Sequence, residues 1–219
     1  MAATENDAEA TKEHAANRFV GLLLLVALLT AFTVDLPVAA FCRPTGAPRS
    51  SVLRFIDEFL ENAETFGHGS GVALIVTGVF VLDPRRRKEF PLLLAGSYGA
   101  GLVASILKLA VVRTRPRSLP ILPDTVWSTF GGFFSTAQSN ETQSFPSGHT
   151  STAVGLAMML SGFYPQGRWY FTGLAILVGM QRIHTESHFP SDVFAGAIVG
   201  WSMAAVCQFR SREKSISSP

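Results

Sequence analysis

Apolar residues in this chain fall into blocks separated by short polar breaks, and the blocks set the first expectation. The run from Phe19 to Phe41 is long enough to cross a bilayer as a helix, which takes roughly 20 apolar residues. Gly71 to Leu82 continues a second block begun a few residues earlier, and Phe90 to Val112 makes a third. The fourth, fifth and sixth run over Ser147 to Phe163, Trp169 to Arg182 and Pro190 to Phe209. This pattern predicts an all-α, polytopic membrane protein: six transmembrane helices in one domain over residues 18–209, between polar tails at 1–17 and 210–219. A small-residue run ending at Ala39-Ala40 also fits a cleaved signal peptide. The span is preferred, because the apolar run exceeds the roughly 7–15 residues of a signal core and the tail before it is not basic.

Two connections are long. In residues 42–68, Val52, Leu53, Phe55, Ile56, Phe59 and Leu60 gather on one side of a helix, with Asp57, Glu58 and Glu61 on the other. The pattern fits a helix lying on the membrane surface and equally an ordinary helix packed on the bundle. Residues 117–145 hold Trp127, Phe130, Phe133 and Phe134, a composition suited to the interface or to a lip over a site. Asp35 and Pro37 sit near the far end of the first span, where a polar group reaches the interface. Gly96, Gly99 and Gly101 leave room for close helix contact. Cys42 and Cys207 fall at ends of spans on opposite faces, so no disulfide is expected between them.

Composition agrees with the blocks: of 219 residues, 47% are hydrophobic and only 16% charged. A net charge of +2, with basic residues clustered at membrane edges, excludes nucleic acid as a partner. The run Asp83-Pro-Arg-Arg-Arg-Lys88 puts four positive charges beside spans, the strongest orientation signal in the chain. With that loop cytoplasmic, Lys12, Arg18, Arg168, Arg210, Arg212 and Lys214 are cytoplasmic too, as are both termini. Short loops favour a bacterial inner membrane. Every stretch with chemistry then faces the outer, periplasmic side.

There are three such stretches. Gln181-Arg-Ile-His-Thr-Glu-Ser-His-Phe-Pro-Ser-Asp192 sets a guanidinium, two imidazoles and a carboxylate between apolar segments, and ionisable groups beside hydrocarbon mark function. Lys108 and Arg115, seven apart, share a helix face if the third span stays helical, and Pro116 ends that helix. Pro146-Ser-Gly-His149 opens the fourth helix, whose unpaired first-turn N–H groups favour a phosphate. His188 and Asp192, four apart, suit a nucleophilic imidazole held by a carboxylate. Attack on phosphorus would give a phosphohistidine, stabilised by Lys108, Arg115, Arg182, the Ser147 hydroxyl and the Gly148 N–H. His149 is placed to protonate the leaving oxygen and then to activate water. Three fixed cations supply the charge neutralisation, and nearby acidic residues are too few for a magnesium site, so neither metal nor cofactor is expected. His68 and His184 read as structural.

These residues resemble the signature of the type 2 phosphatidic acid phosphatase (PAP2) family. That signature runs Lys, six residues, Arg-Pro; Pro-Ser-Gly-His; Ser-Arg, five residues, His, three residues, Asp. Here it is met by Lys108, Arg115-Pro116, Pro146-Ser147-Gly148-His149, Arg182, His188 and Asp192, with Gln181 where the family usually has serine. The resemblance implies a metal-independent integral membrane lipid phosphatase with His188 as nucleophile and His149 as acid and base. Its substrate would be a lipid phosphomonoester or diphosphate, for which phosphatidate, phosphatidylglycerophosphate, isoprenyl diphosphate and lipid A phosphate all qualify. Transfer of the phosphoryl group to another acceptor, or lipid-phosphate binding without catalysis, needs the same residues and stays open, as does the oligomeric state. A vanadate-dependent haloperoxidase shares the signature, but the membrane spans disfavour it.

Overall fold

Helices cover the apolar blocks, with the first and last continuing into the polar tails at 1–17 and 210–219 and the third block breaking early. The computed structural model describes residues 2–44, 50–134 and 139–217, with side chains from 19 to 210. The side chains of Lys12, Arg18, Arg212 and Lys214, which entered the orientation reading, lie outside that description. The helices are α1 (Ala2–Cys42), α2 (Ser51–Ala63), α3 (Gly69–Leu82), α4 (Phe90–Ala110), α5 (Gly148–Phe163), α6 (Arg168–His184) and α7 (Pro190–Ser217). Strands β1 (Val111–Arg113) and β2 (Phe130–Phe133) form an antiparallel pair beyond α4.

α5 is the centre of the bundle. Leu156, Met159 and Leu160 are buried with Ala153 and Ala157, and the helix packs against α4, α6 and α7 while α1 lies on α7. Small residues let it in: a Cβ on Gly96 would meet Met159, one on Gly101 would meet Thr152, and Gly99 abuts Met203, as the glycine spacing predicts. Among the described residues three segments are long and apolar enough to cross a membrane: Phe19–Cys42, Pro84–Ala110 and Pro190–Arg210. Ser51–Phe66 and Gly69–Leu82, bent by 60°, make a fourth if they act as one broken span. At 16 and 17 residues, α5 and α6 reach about 24 and 26 Å, short of the ~30 Å hydrocarbon core. The chain is thus a mostly helical integral membrane protein.

The third apolar block departs from expectation. It does not stay helical to Pro116: α4 ends at Ala110 and the chain turns extended, pairing Val111 with Phe133 and Arg113 with Phe130. Two β-branched valines in a row and the extended bias imposed before proline account for the switch. Lys108 and Arg115 therefore do not share a helix face; one closes α4 and the other follows the strand. The described part of residues 117–145, expected as a long connection, carries β2 and the single-turn helices Val126–Thr129 and Asn140–Thr142, with Pro116–Ser118 at its entrance.

Asp35 is also placed differently. It is fully buried, whereas its position near a span end suggested an interfacial carboxylate. α2 resolves the choice the sequence left open. Val52, Leu53, Phe55, Ile56 and Phe59 are exposed, Leu60 is buried, and Asp57 on the polar side reaches His184 Nε2 at 2.7 Å. The apolar side faces away from the bundle and the polar side packs on it, the reverse of an ordinary core-packed helix; such a helix meets lipid on the membrane surface or within the bent pair. Cys42 and Cys207 are both free thiols.

Candidate active site

The ends of α4 and α6 and the starts of α5 and α7 meet at one end of the bundle. At the opposite end, Arg86 donates to the Phe163 carbonyl at 3.1 Å and the Tyr164 hydroxyl donates to Asp83 at 3.0 Å. Because those four helices are antiparallel neighbours in sequence order, signature residues far apart in the chain arrive at the same end.

His188 lies between α6 and α7, 2% exposed. Its backbone N–H donates to the Arg182 carbonyl at 3.1 Å, so the two signature residues are tied through the chain itself. Asp192, in the first turn of α7, accepts from the Phe189 N–H at 2.8 Å, the reach-back of an N3 carboxylate that caps its own helix. Its Oδ2 lies 3.7 Å from His188 Nδ1, an ion-pair separation longer than a hydrogen bond. The Ser144 hydroxyl closes the gap, 2.6 Å from Asp192 Oδ2 and 3.5 Å from Nδ1. Nδ1 is thereby turned to Asp192 and Ser144, which leaves Nε2 as the ring nitrogen directed away from that carboxylate. Burial pulls the imidazole down to about 4, and the Asp192 carboxylate offsets that only in part, so the ring is neutral at physiological pH.

Ser147 caps α5: its hydroxyl accepts from the Thr150 N–H at 3.4 Å and from the Thr150 hydroxyl at 2.9 Å, and its own N–H donates to the Asp192 carbonyl at 2.9 Å. A Cβ added at Gly148 would meet nothing within 4 Å, so the helix start opens onto free space. Arg115 is held by Asn140, through Nε to the backbone carbonyl at 2.8 Å and through a terminal nitrogen to the side-chain oxygen at 3.1 Å. Lys108 lies within electrostatic reach of Arg115, Arg182 and Asp192. His149, partly exposed, is within reach of Lys108, Arg182 and His188. The eight predicted site residues thus gather at one end of the bundle, three of them cationic, with a buried neutral imidazole among them. Among the described residues no three His, Cys, Asp or Glu side chains gather as a metal site would require.

Sequence reasoning missed five participants. Arg113, which no motif or spacing singles out, is fully buried and bonds Asp192 Oδ1 at 2.5 Å, Asp35 Oδ2 at 2.6 Å, the Ser191 hydroxyl at 2.7 Å and the Thr129 hydroxyl at 3.0 Å. Its guanidinium sits 4.2 Å from the Phe189 ring centroid and 4.5 Å from that of Phe130. Asp35, from α1, also accepts from the Ser191 N–H at 2.9 Å and its hydroxyl at 2.5 Å. With Ser144 and Ser191, these groups orient Asp192. The fifth is Glu64, in the single-turn helix Glu64–Phe66 after α2. It lies 2.5 Å from an Arg182 terminal nitrogen and 3.3 Å from His149 Nε2. An Asp35–Arg113 pair joins the first apolar block to the third, a distance at which no periodic signal survives.

Comparison with known proteins settles the family. Residues 90–214 match the model of the PAP2 superfamily. The chain belongs to that superfamily. PAP2 phosphatases of several kinds resemble it, and its class is that of a phosphoric ester hydrolase. A lipid A 1-phosphatase of Rhizobium etli is 36% identical over 105 residues, 47% of this chain and 42% of the relative. Another, from Rhizobium johnstonii, is 28% identical over 191 residues, 78% of this chain and 74% of the relative. In fold, the chain matches the crystal structure of a transmembrane PAP2-type phosphatidylglycerolphosphate phosphatase from Bacillus subtilis with a TM-score of 0.61 at 19% identity, covering 91% of this chain and 96% of that one.

Proposed function

We propose that this PAP2 protein is a metal-independent lipid phosphatase that hydrolyses a lipid phosphomonoester or diphosphate through a phosphohistidine at His188. The observation that carries the reading is the setting of His188: a buried, neutral imidazole with Nδ1 turned to Asp192 and Ser144, at the end of the bundle where Lys108, Arg115 and Arg182 also gather. Nε2 attacks phosphorus, the bond to the lipid oxygen breaks, and His149 gives that oxygen its proton. The positive charge that develops on His188 is met by Asp192. Water then attacks the phosphorus, returns a proton to His149, and the phosphorus–nitrogen bond breaks. The three cations, the Ser147 hydroxyl and the Gly148 N–H hold the phosphoryl oxygens throughout.

The single domain over residues 18–209 holds six spans in this reading, with α5 and α6 as short inner helices, which sinks the site below the membrane surface. A headgroup would enter between helix ends while its tails stay in hydrocarbon, so soluble esters are poor substrates. The positive loop at Arg85–Lys88 supports cytoplasmic termini and a site on the periplasmic face of a bacterial inner membrane. The lipid A 1-phosphatase relatives make a lipid A-type phosphate the first substrate to try. The test is phosphate release by detergent-purified protein, with chelator present, from phosphatidate, phosphatidylglycerophosphate, an isoprenyl diphosphate, a lipid A phosphate and a soluble ester. Release that favours one lipid and disappears in His188→Ala supports the proposal. No release from any lipid would sink hydrolysis and favour transfer to another acceptor, which product analysis would reveal.

A further inference from the structure

The acid and base assigned to His149 has a difficulty of its own. To protonate a lipid alkoxide, the imidazole must carry an extra proton while Lys108, Arg182, His188 and His68 all face it from α4, α6, the loop before α7 and the start of α3. Of these, Lys108 and Arg182 are fixed cations, and each opposes a further positive charge. The carboxylate beside His149 is that of Glu64, with Oε1 3.3 Å from Nε2.

Glu64 is held in place from three directions. Its Oε2 accepts from Arg182 at 2.5 Å and from Gln181 Nε2 at 3.2 Å. Gln181, 2% exposed, uses its other end to accept from Arg182 Nε at 2.5 Å, so one amide fixes both the arginine and the carboxylate. A serine at this position, the usual family residue, ends two bonds sooner and cannot span that gap. The turn bearing Glu64 is also pressed against the histidine's own backbone. A Cβ on Gly67 would come within 2.6 Å of the His149 carbonyl oxygen and 2.9 Å of Val178, so only glycine allows this approach.

Resting on the phosphatase reading above, we infer that Glu64 is the positioning carboxylate of His149: it holds the imidazole in orientation and in its protonated form, with Gln181 and Gly67 fixing Glu64 there. Nε2 faces Glu64 at ion-pair distance, 3.3 Å, and Nδ1 carries the proton that passes to the leaving oxygen, as the far nitrogen of a carboxylate-held histidine does. Glu64 keeps its charge through both steps; the proton moves from His149 to the lipid oxygen and back to His149 from water. The same carboxylate neutralises part of Arg182 and repels an incoming phosphate, so it favours proton transfer at some expense of phosphate affinity.

This assignment separates turnover from binding, which a merely structural residue would not do. The experiment compares wild type, Glu64→Gln and His149→Ala on alkyl-chain aryl phosphates whose phenols span a range of acidity, together with a lipid monophosphate. Inorganic phosphate serves as a competitive inhibitor. A good leaving group needs no proton. Glu64→Gln is expected to cut kcat about 100-fold on the lipid monoester, the low end of general-acid effects, and to leave the most acidic phenol nearly untouched. The variant should bind inorganic phosphate about 2- to 5-fold more tightly, the equivalent of a partly exposed ion pair removed. Gln181→Ser should steepen the leaving-group dependence in the same sense, by less. A uniform loss across all leaving groups in Glu64→Gln, or no loss, while His149→Ala shows the steep dependence, would overturn the role of Glu64 alone. A flat dependence in His149→Ala as well would overturn the acid and base assignment beneath it.

Discussion

The two histidines of the site live in opposite surroundings. His188 is sealed in, and its carboxylate partner is oriented by Arg113, Ser144 and the Phe189 N–H, with Asp35 and Ser191 behind them. His149 is partly open, and its carboxylate is shared with Arg182. The difference matches two tasks. A nucleophile makes and breaks one bond along one line and gains from rigidity, whereas an acid and base must change protonation twice per turnover and needs contact with water. Over-determination suits the first and would obstruct the second.

Breaking the rigid half should have the largest effect. Arg113→Ala leaves Asp35 and Asp192 facing each other without their cation, and removing one partner of a buried ion pair costs about 3–5 kcal/mol. We expect a large fall in the thermal unfolding temperature in detergent, with phosphate release lost alongside it. Retention of wild-type stability would mean that the buried network does not hold the fold at this end.

Asp35→Asn is a gentler cut. The amide keeps the shape and one acceptor, so the expected cost is about 1–3 kcal/mol, that of a weakened buried hydrogen-bond set. Because Asp35 touches no signature residue directly, a fall in kcat with little change in KM would show that its effect reaches His188 through Arg113 and Asp192. An unchanged kcat at reduced stability would confine Asp35 to the fold.

The smallest effect is in pH. Burial holds the folded His188 imidazole near about 4, and an unfolded chain's histidine titrates near ~6.5. Between those values the unfolded state takes up a proton that the folded site refuses, so stability should fall as pH falls across that window and level off below it. Phosphate release at limiting substrate, with the substrate's own ionisation divided out, should keep its acid inflection at about 4. An inflection at an ordinary histidine value would mean that water reaches His188 and that the contrast between the halves is weaker than the burial implies.

What the sequence made legible was the part written in fixed spacing. Lys108, Arg115, Ser147, Gly148, His149, Arg182, His188 and Asp192 could be found because each stands at a set interval from its neighbours, and the apolar blocks put them at one end of the bundle. Arg113 was passed over because an arginine two residues before Arg115 reads as one more loop charge until β1 turns it inward. Asp35 was misplaced because a carboxylate near a span end is ordinarily interfacial, and its partners lie 78 and 156 positions away. Glu64 belongs to the polar side of α2 and its following turn, where acidic residues are common, and its contact with Gln181 bridges 117 positions. The helix end at Ala110 was a local competition, helical propagation against two valines and a strand partner, and periodicity alone does not decide such contests.

Asp35 also bears on how the molecule is built. α1 enters the bilayer early in synthesis with a carboxylate inside its apolar stretch, at an insertion cost of about 2.5–3.5 kcal/mol if it stays charged and unpaired. Its first partner, Arg113, follows α4, and Ser191 is made only with the last helix, 156 residues later. Until then the opening helix carries a debt of solvation that nothing in it can settle. α7 thus both orders the proposed nucleophile and relieves α1, so in this reading assembly and catalytic competence are reached in the same event.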